Sequence, residues 1–128
     1  FEEIETLQQA EKRNIVVFIH TDWCKFCHRM ENTTLQDSTI INLLNNRFYY
    51  IDFNAEEKRT IQFNNTDFAY KQTGTNTGIH ELAEALATID NKVSFPSICV
   101  LNPQYEIIFQ YNYYLKADNL HTILSAIK

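Results

Sequence analysis

The stretch Val16-Val17-Phe18-Ile19-His20-Thr21-Asp22-Trp23-Cys24-Lys25-Phe26-Cys27-His28-Arg29-Met30-Glu31 decides the fold. An apolar run ends in polar residues and a tryptophan, and a Cys-x-x-Cys pair then opens a segment of helical pattern. A pair placed between a strand and a helix reads as a dithiol redox site. Two thiols so spaced in a first helical turn can close a small disulfide loop. The amino end of the helix adds unpaired N–H groups and a partial positive charge. Both favour the thiolate, which is the nucleophilic form of cysteine. Cys24 is therefore expected as an exposed thiol at the helix start, with Cys27 more buried one turn further in.

Working outward, Ile15 to Ile19 is a continuous β-branched and aromatic run, the mark of a strand covered on both faces. Before it, Phe1, Ile4, Leu7 and Ala10 recur on a helical period, with acids in the first turn and Lys12 and Arg13 near the end. After it, a helix is expected from Cys24 to Leu35, with a fresh cap at Asp37-Ser38-Thr39 for Ile40 to Asn45. Phe48 to Phe53 reads as a second central strand, so strand, helix and strand form a parallel βαβ unit. Ile61-Gln62-Phe63 and Phe68-Ala69-Tyr70 predict a hairpin around Asn64-Asn65-Thr66-Asp67. Gly74 and Gly78 bound a loop, and Ile79, Leu82, Ala83, Leu86 and Ile89 give a short amphipathic helix. Ile98 to Leu101 and Glu106 to Tyr111 are strands joined at Asn102-Pro103-Gln104-Tyr105. Leu120, Ile123, Leu124 and Ile127 stripe a closing helix.

A chain of 128 residues without repeats or linkers predicts one domain over residues 1–128. A net charge of −5 argues against a nucleic-acid partner held through phosphates. No apolar run reaches the length of a membrane-spanning segment. Three cysteines, one local pair and a singleton at Cys99, do not make a disulfide framework. Cys99 lies in an apolar run and is expected as an inert core thiol. The chain opens at Phe1 without an initiator methionine, which reads as a mature form and fits an exported protein.

Two motifs carry a family resemblance. Trp23-Cys24-Lys25-Phe26-Cys27 after a strand resembles the redox motif of thioredoxin-like proteins, and Phe95-Pro96-Ser97 resembles their cis-proline segment. The element order resembles their core over nearly the whole chain. His28-Arg29-Met30-Glu31 is similar to the helix after the cysteines in exported bacterial thioredoxin-like reductase domains. The resemblance implies an α/β thioredoxin-like fold, a central mixed β-sheet flanked by helices. An inserted hairpin and helix, at about residues 57–90, precede the cis-proline segment. It also implies disulfide exchange with Cys24 attacking, Cys27 resolving and a cis bond at Phe95–Pro96. Three departures stand out: the buried Asp that thioredoxins carry six residues before the first cysteine is Phe18, their Gly-Pro is Lys25-Phe26, and the segment from Asn54 to Pro96 is longer by roughly twenty residues.

Lys25 beside the thiolate favours it electrostatically, as does His28 when protonated. Trp23 is expected to pack beside the cysteines and shield them. Glu31, four residues after Cys27, shares its helix face and is either a proton relay for Cys27 or an ordinary solvated or salt-bridged glutamate. Asp22 reads as a turn or cap residue. Phe95 and Pro96 are the candidate substrate-binding pair: a cis X-Pro bond turns the chain so that Phe95 offers its backbone to an extended segment. A trans proline at a strand start is the alternative. His20 and His80 read as satisfied polar residues, and Tyr111, Tyr113 and Tyr114 as an end-of-sheet cap.

The expected function is a thiol–disulfide oxidoreductase, reduction being the expected direction. Its partners are protein disulfides and a thiol electron donor. It needs no resident cofactor or metal, and is expected as a monomer in the bacterial periplasm or otherwise exported. Two other classes compete. One is a redox-inactive binding module using Ile61 to Gly78, with Phe63, Phe68 and Tyr70 as its surface. The other is a metal or haem protein, since Cys24-Lys25-Phe26-Cys27-His28 also matches a C-x-x-C-H string and Cys24, Cys27, His28 and His20 or His80 are zinc-type ligands.

Overall fold

The computed structural model describes residues 1–127. Acidic Glu2, Glu3 and Glu5 occupy the first turn of α1 (Glu2–Ala10), where the helix dipole favours them. The helix buries Ile4 and Gln8, while Leu7 stays 44% exposed and Lys12 and Arg13 lie beyond its end. The expected apolar stripe is thus rotated. Gln8 is drawn inward because its amide both donates to and accepts from the Arg13 backbone (2.6 and 2.9 Å), closing the reversal into β1 (Asn14–His20).

After β1 come α2 (Lys25–Asn32), a single 3₁₀ turn (Thr34–Gln36) and α3 (Ser38–Arg47). The helix expected to run to Leu35 therefore stops early and restarts. Asp37 caps the new start, its carboxylate accepting from the Thr39 and Ile40 amides at 3.0 and 3.3 Å. β2 (Phe48–Asn54) follows and pairs parallel to β1. β3 (Ile61–Phe63), β4 (Thr66–Phe68), β5 (Tyr70–Gln72), β6 (Gly78–His80) and α4 (Glu81–Ala87) form the insertion. β7 (Ser97–Leu101), β8 (Ile107–Tyr111) and α5 (Ala117–Ala126) close the chain.

The main sheet has the order β2-β1-β7-β8, with β7 antiparallel to both neighbours. This is the mixed sheet flanked by helices that the resemblance implies. Ile15 to Ile19 are each at most 1% exposed, because helices cover both faces of β1. Ile15, Val17 and Ile19 face Ile4, Leu82 and Leu86, whereas Val16 and Phe18 face Cys27, Met30, Ile40, Leu44, Leu120 and Leu124. Burying a side chain of this size contributes about 1.5–3 kcal/mol. β2, expected as a central strand, lies at the sheet edge, and only Phe48 and Phe53 within it are buried. Cys99 is fully enclosed in β7, and burial pushes its thiol up to about 12.

The insertion holds two hairpins instead of one. Asn64 and Asn65 both take positive φ (53° and 60°), as a two-residue hairpin loop requires. Asparagine tolerates that region, so Thr66-Asp67-Phe68 turn back at once onto Ile61-Gln62-Phe63. Tyr70 is released to pair with His80 in the second hairpin, and Ile79 joins that hairpin instead of α4. Phe63 packs inward on Phe1 and Tyr105 (ring centroids 5.1 and 4.7 Å). His80, fully buried, caps α4 by accepting from the Leu82 amide and holds the Arg59 carbonyl through its other nitrogen.

Candidate active site

The register Ile19↔Ser97 places the exit of β1 and the entrance of β7 at one end of the sheet. Trp23 and Cys24 leave one strand there, and Phe95–Pro96, a cis peptide, enters the other. Cys24 is the N-cap of α2, and its sulfur accepts from the Cys27 amide at 3.1 Å. The two sulfurs are joined as a disulfide across a Cα–Cα separation of 5.2 Å. Cys27 is fully buried. Cys24 keeps only 6% of its surface, which corrects the expectation of a thiol standing open. Its sulfur turns inward onto Cys27 and the first-turn amide, leaving the exposed flanks to its neighbours.

Those neighbours are aromatic. Trp23 is 67% and Phe26 58% exposed, so Trp23, expected to pack beside the cysteines and shield them, stands largely in solvent. Its indole N–H donates to Glu56 at 3.2 Å, and its ring meets Phe95 edge-on at 6.3 Å. Phe26 lies 6.4 Å from the Tyr114 ring, which also carries the Arg29 guanidinium. Tyr114 therefore belongs to this rim, and only Tyr111 and Tyr113 touch each other at the sheet end. Lys25 is exposed on the first turn, and Pro96 is buried behind the half-buried Phe95.

Behind the dithiol, Phe18 is fully enclosed in the apolar cluster that contains Cys27. The ionisable groups lie just beyond it. Glu31, one turn after Cys27, sits between two imidazoles, 3.7 Å from His20 Nδ1 and 3.6 Å from His28 Nδ1. His28 also binds the Asp22 carbonyl through Nε2 at 2.6 Å, and His20 Nε2 contacts the Asp52 carboxylate. Burial works against the His20 charge, but the Asp52 hydrogen bond and the fields of Asp52, Glu31 and Asp22 outweigh it, so its pKa is raised above 6.5.

A folded value above the unfolded one means that the imidazolium stabilises the fold fully below about pH 6.5 and ceases to do so as pH rises through the folded value. The gap in urea midpoint between wild type and His20→Gln is accordingly expected to be wider at about pH 5 than at about pH 8.5. Equal gaps at both would remove any role for the charge.

Among the described residues, the side chains that bring metal-type ligand atoms within 4.8 Å of one another are His20, Glu31 and Asp52. The cysteines are not in that group, and both His80 nitrogens are engaged elsewhere. The four zinc-type ligands weighed from sequence are not brought together. The sequence reading missed Asp52 and Glu56. The alternation in Tyr50-Ile51-Asp52-Phe53 put Asp52 on a strand, but only the parallel register Phe18↔Asp52 sets it beside β1.

A family model described as a thioredoxin-like domain matches residues 1–128. No curated protein sequence matches the chain significantly. Among solved structures, the chain is similar to a thioredoxin from Thermus thermophilus, with 18% identity and a TM-score of 0.69 over 99% of this chain and 82% of that one. It is also similar to a disulphide isomerase from Xylella fastidiosa Temecula1, with 10% identity and a TM-score of 0.65 over 98% and 86% of the two chains. A third is the reduced DsbD C-terminal domain of Neisseria meningitidis, with 16% identity and a TM-score of 0.63 over 99% and 92%. Among the described residues, no helix is long and apolar enough to cross a membrane.

Proposed function

The chain belongs to the thioredoxin-like domain family, and we propose that it is a thiol–disulfide oxidoreductase acting on protein disulfides through Cys24 and Cys27. The observation that carries this reading is the disulfide at the amino end of α2, with one sulfur at the N-cap and the other sealed behind it. In the reduced form the Cys24 thiolate gains from the first-turn amides and from the nearby Lys25 charge. It attacks one sulfur of a substrate disulfide and expels the other as a thiolate. Cys27 then gives up its proton, attacks the Cys24 sulfur and releases the second substrate thiolate. The substrate gains two electrons, the pair becomes the disulfide, and an external thiol donor restores it.

Glu31 is the group proposed to take the Cys27 proton, standing in for the carboxylate that Phe18 replaces. Phe95 and Pro96 are proposed to seat the extended substrate segment beside Cys24. The proposed direction is reduction, in an exported setting, by a monomer with no resident cofactor.

The test is a titration in dithiol buffers, quenched by alkylation and read by mass. Cys24 and Cys27 are expected to lose their labels together, at a midpoint between about −120 and −270 mV, the span of exchanging proteins. Cys99 is expected to report one state throughout. A pair that stays locked below about −300 mV would be structural, and the reading would fail.

A further inference from the structure

The insertion leaves a cleft of about 570 Å³ that reaches Asp22, two residues before Cys24, and that the exchange steps do not use. Asp22, Asn54, Glu56, Lys58, Tyr70 and Thr77 are among the residues that line it, and all carry polar groups. Its walls are tied together. The Asn54 amide donates to Asp22 at 3.4 Å, and its oxygen accepts from the Glu56 backbone at 2.9 Å. The β5–β6 hairpin is bonded to the chain after β2 through the His80 amide and the Ala55 carbonyl at 2.7 Å. At Gly78 a Cβ would fall 2.1 Å from the Tyr70 hydroxyl, so that ring is held where only glycine leaves room.

The cleft adjoins the reacting end of the molecule. Glu56 binds the Trp23 indole, and Trp23 meets Phe95. Two carboxylates line it there. Asp22 and Glu56 form no ion pair among the described residues, and each carboxylate accepts one side-chain hydrogen bond. A carboxylate offers about four acceptor sites, so most of their capacity is free. Among the described residues the one lining cation is Lys58, which lies over the Tyr70 ring at 5.8 Å.

We propose that this cleft is a specificity subsite that receives a lysine or arginine side chain flanking the reacting cysteine of an extended polypeptide, with Asp22 and Glu56 as its acceptors. The proposal rests on the exchange reading above and gives it a substrate class. The sequence reading gave the insertion an aromatic binding surface. Of those residues Phe63 turns into the core, whereas Tyr70 lines the cleft together with Thr77, Asp22 and Glu56.

The test uses the pre-reduced full chain in single turnover. The substrates are short peptides whose one cysteine is disulfide-bonded to nitrothiobenzoate and flanked by lysines or by glutamates. Cys24 attacks the peptide sulfur, coloured nitrothiobenzoate thiolate leaves, and Cys27 then frees the peptide thiol. Each rate is divided by the rate of the same peptide with free dithiothreitol, which removes its intrinsic reactivity. The lysine peptide is expected to react about tenfold faster than the glutamate peptide at low salt, with the advantage shrinking as salt screens it. Asp22→Asn with Glu56→Gln should bring that ratio close to unity, while Lys58→Gln should raise it. Using a ratio within each variant cancels any general loss of activity.

A wild-type ratio near one, or a ratio the double variant leaves unchanged, overturns the subsite. Cysteine-free analogues titrated onto the oxidised chain by fluorescence anisotropy separate the two readings. Tighter binding of the lysine analogue without turnover would keep the subsite and sink the exchange. Turnover with equal binding and equal rates would do the reverse.

Discussion

Cys24→Ser is expected to abolish reduction of insulin disulfides, by at least about a thousandfold, because no other group can make the first attack. A serine hydroxyl stays protonated near neutrality and is a poor nucleophile towards sulfur. Cys27 cannot take over, since it is fully buried behind the N-cap. Cys99 cannot either, because its thiol is enclosed in β7 and held protonated by burial. Cys27→Ser should fail differently. Cys24 still attacks, but nothing displaces the product, so a covalent chain–substrate adduct accumulates and runs larger on a non-reducing gel. Full activity in Cys24→Ser would mean that the nucleophile is misassigned. An adduct in Cys24→Ser and none in Cys27→Ser would mean that the two roles are exchanged.

Phe18→Ala is expected to destabilise the fold by about 3–5 kcal/mol, a large share of the total for a domain of this size. Phe18 is fully enclosed on the face of β1 that contacts α2 and α5, and the His20 ring stacks on it at 5.4 Å. Truncation therefore leaves a cavity beneath the dithiol helix. The thermal midpoint should fall by roughly 10–20 °C, whereas Phe18→Leu should cost far less. Restoring the carboxylate with Phe18→Asp should be worse than alanine, since a charge would be buried in an apolar cluster. A Phe18→Asp chain as stable as wild type would show that the site admits water, and the account of this core would be wrong.

These two positions show how far the sequence reads. The run Ile15 to Ile19 identified a strand covered on both faces, since only a doubly packed strand avoids polar residues at every second position. The Cys24–Cys27 spacing likewise placed both sulfurs in one turn of one helix. The Asp37 cap and the Asn64-Asn65 reversal are similarly local. Errors arose where a residue has two possible partners. Leu7 and Gln8 compete for the buried side of α1, and the amide wins through two backbone bonds to Arg13. Tyr70 follows Phe68 closely enough to extend one hairpin, yet it pairs across to His80.

Short-range periodicity alone determined the strand–helix frame, the dithiol at a helix start and the enclosure of Cys99, because each depends on neighbours within a turn or a strand. Tertiary structure alone decided that Cys24 is recessed, that Glu31 lies between His20 and His28 with Asp52 on the far side of His20, and that Tyr70 and Thr77 of the insertion share a cleft with Asp22 and Glu56. Those contacts join β1, α2, β2 and the second hairpin, which are distant in sequence. Their pairing is set by how whole faces pack, which no local pattern encodes.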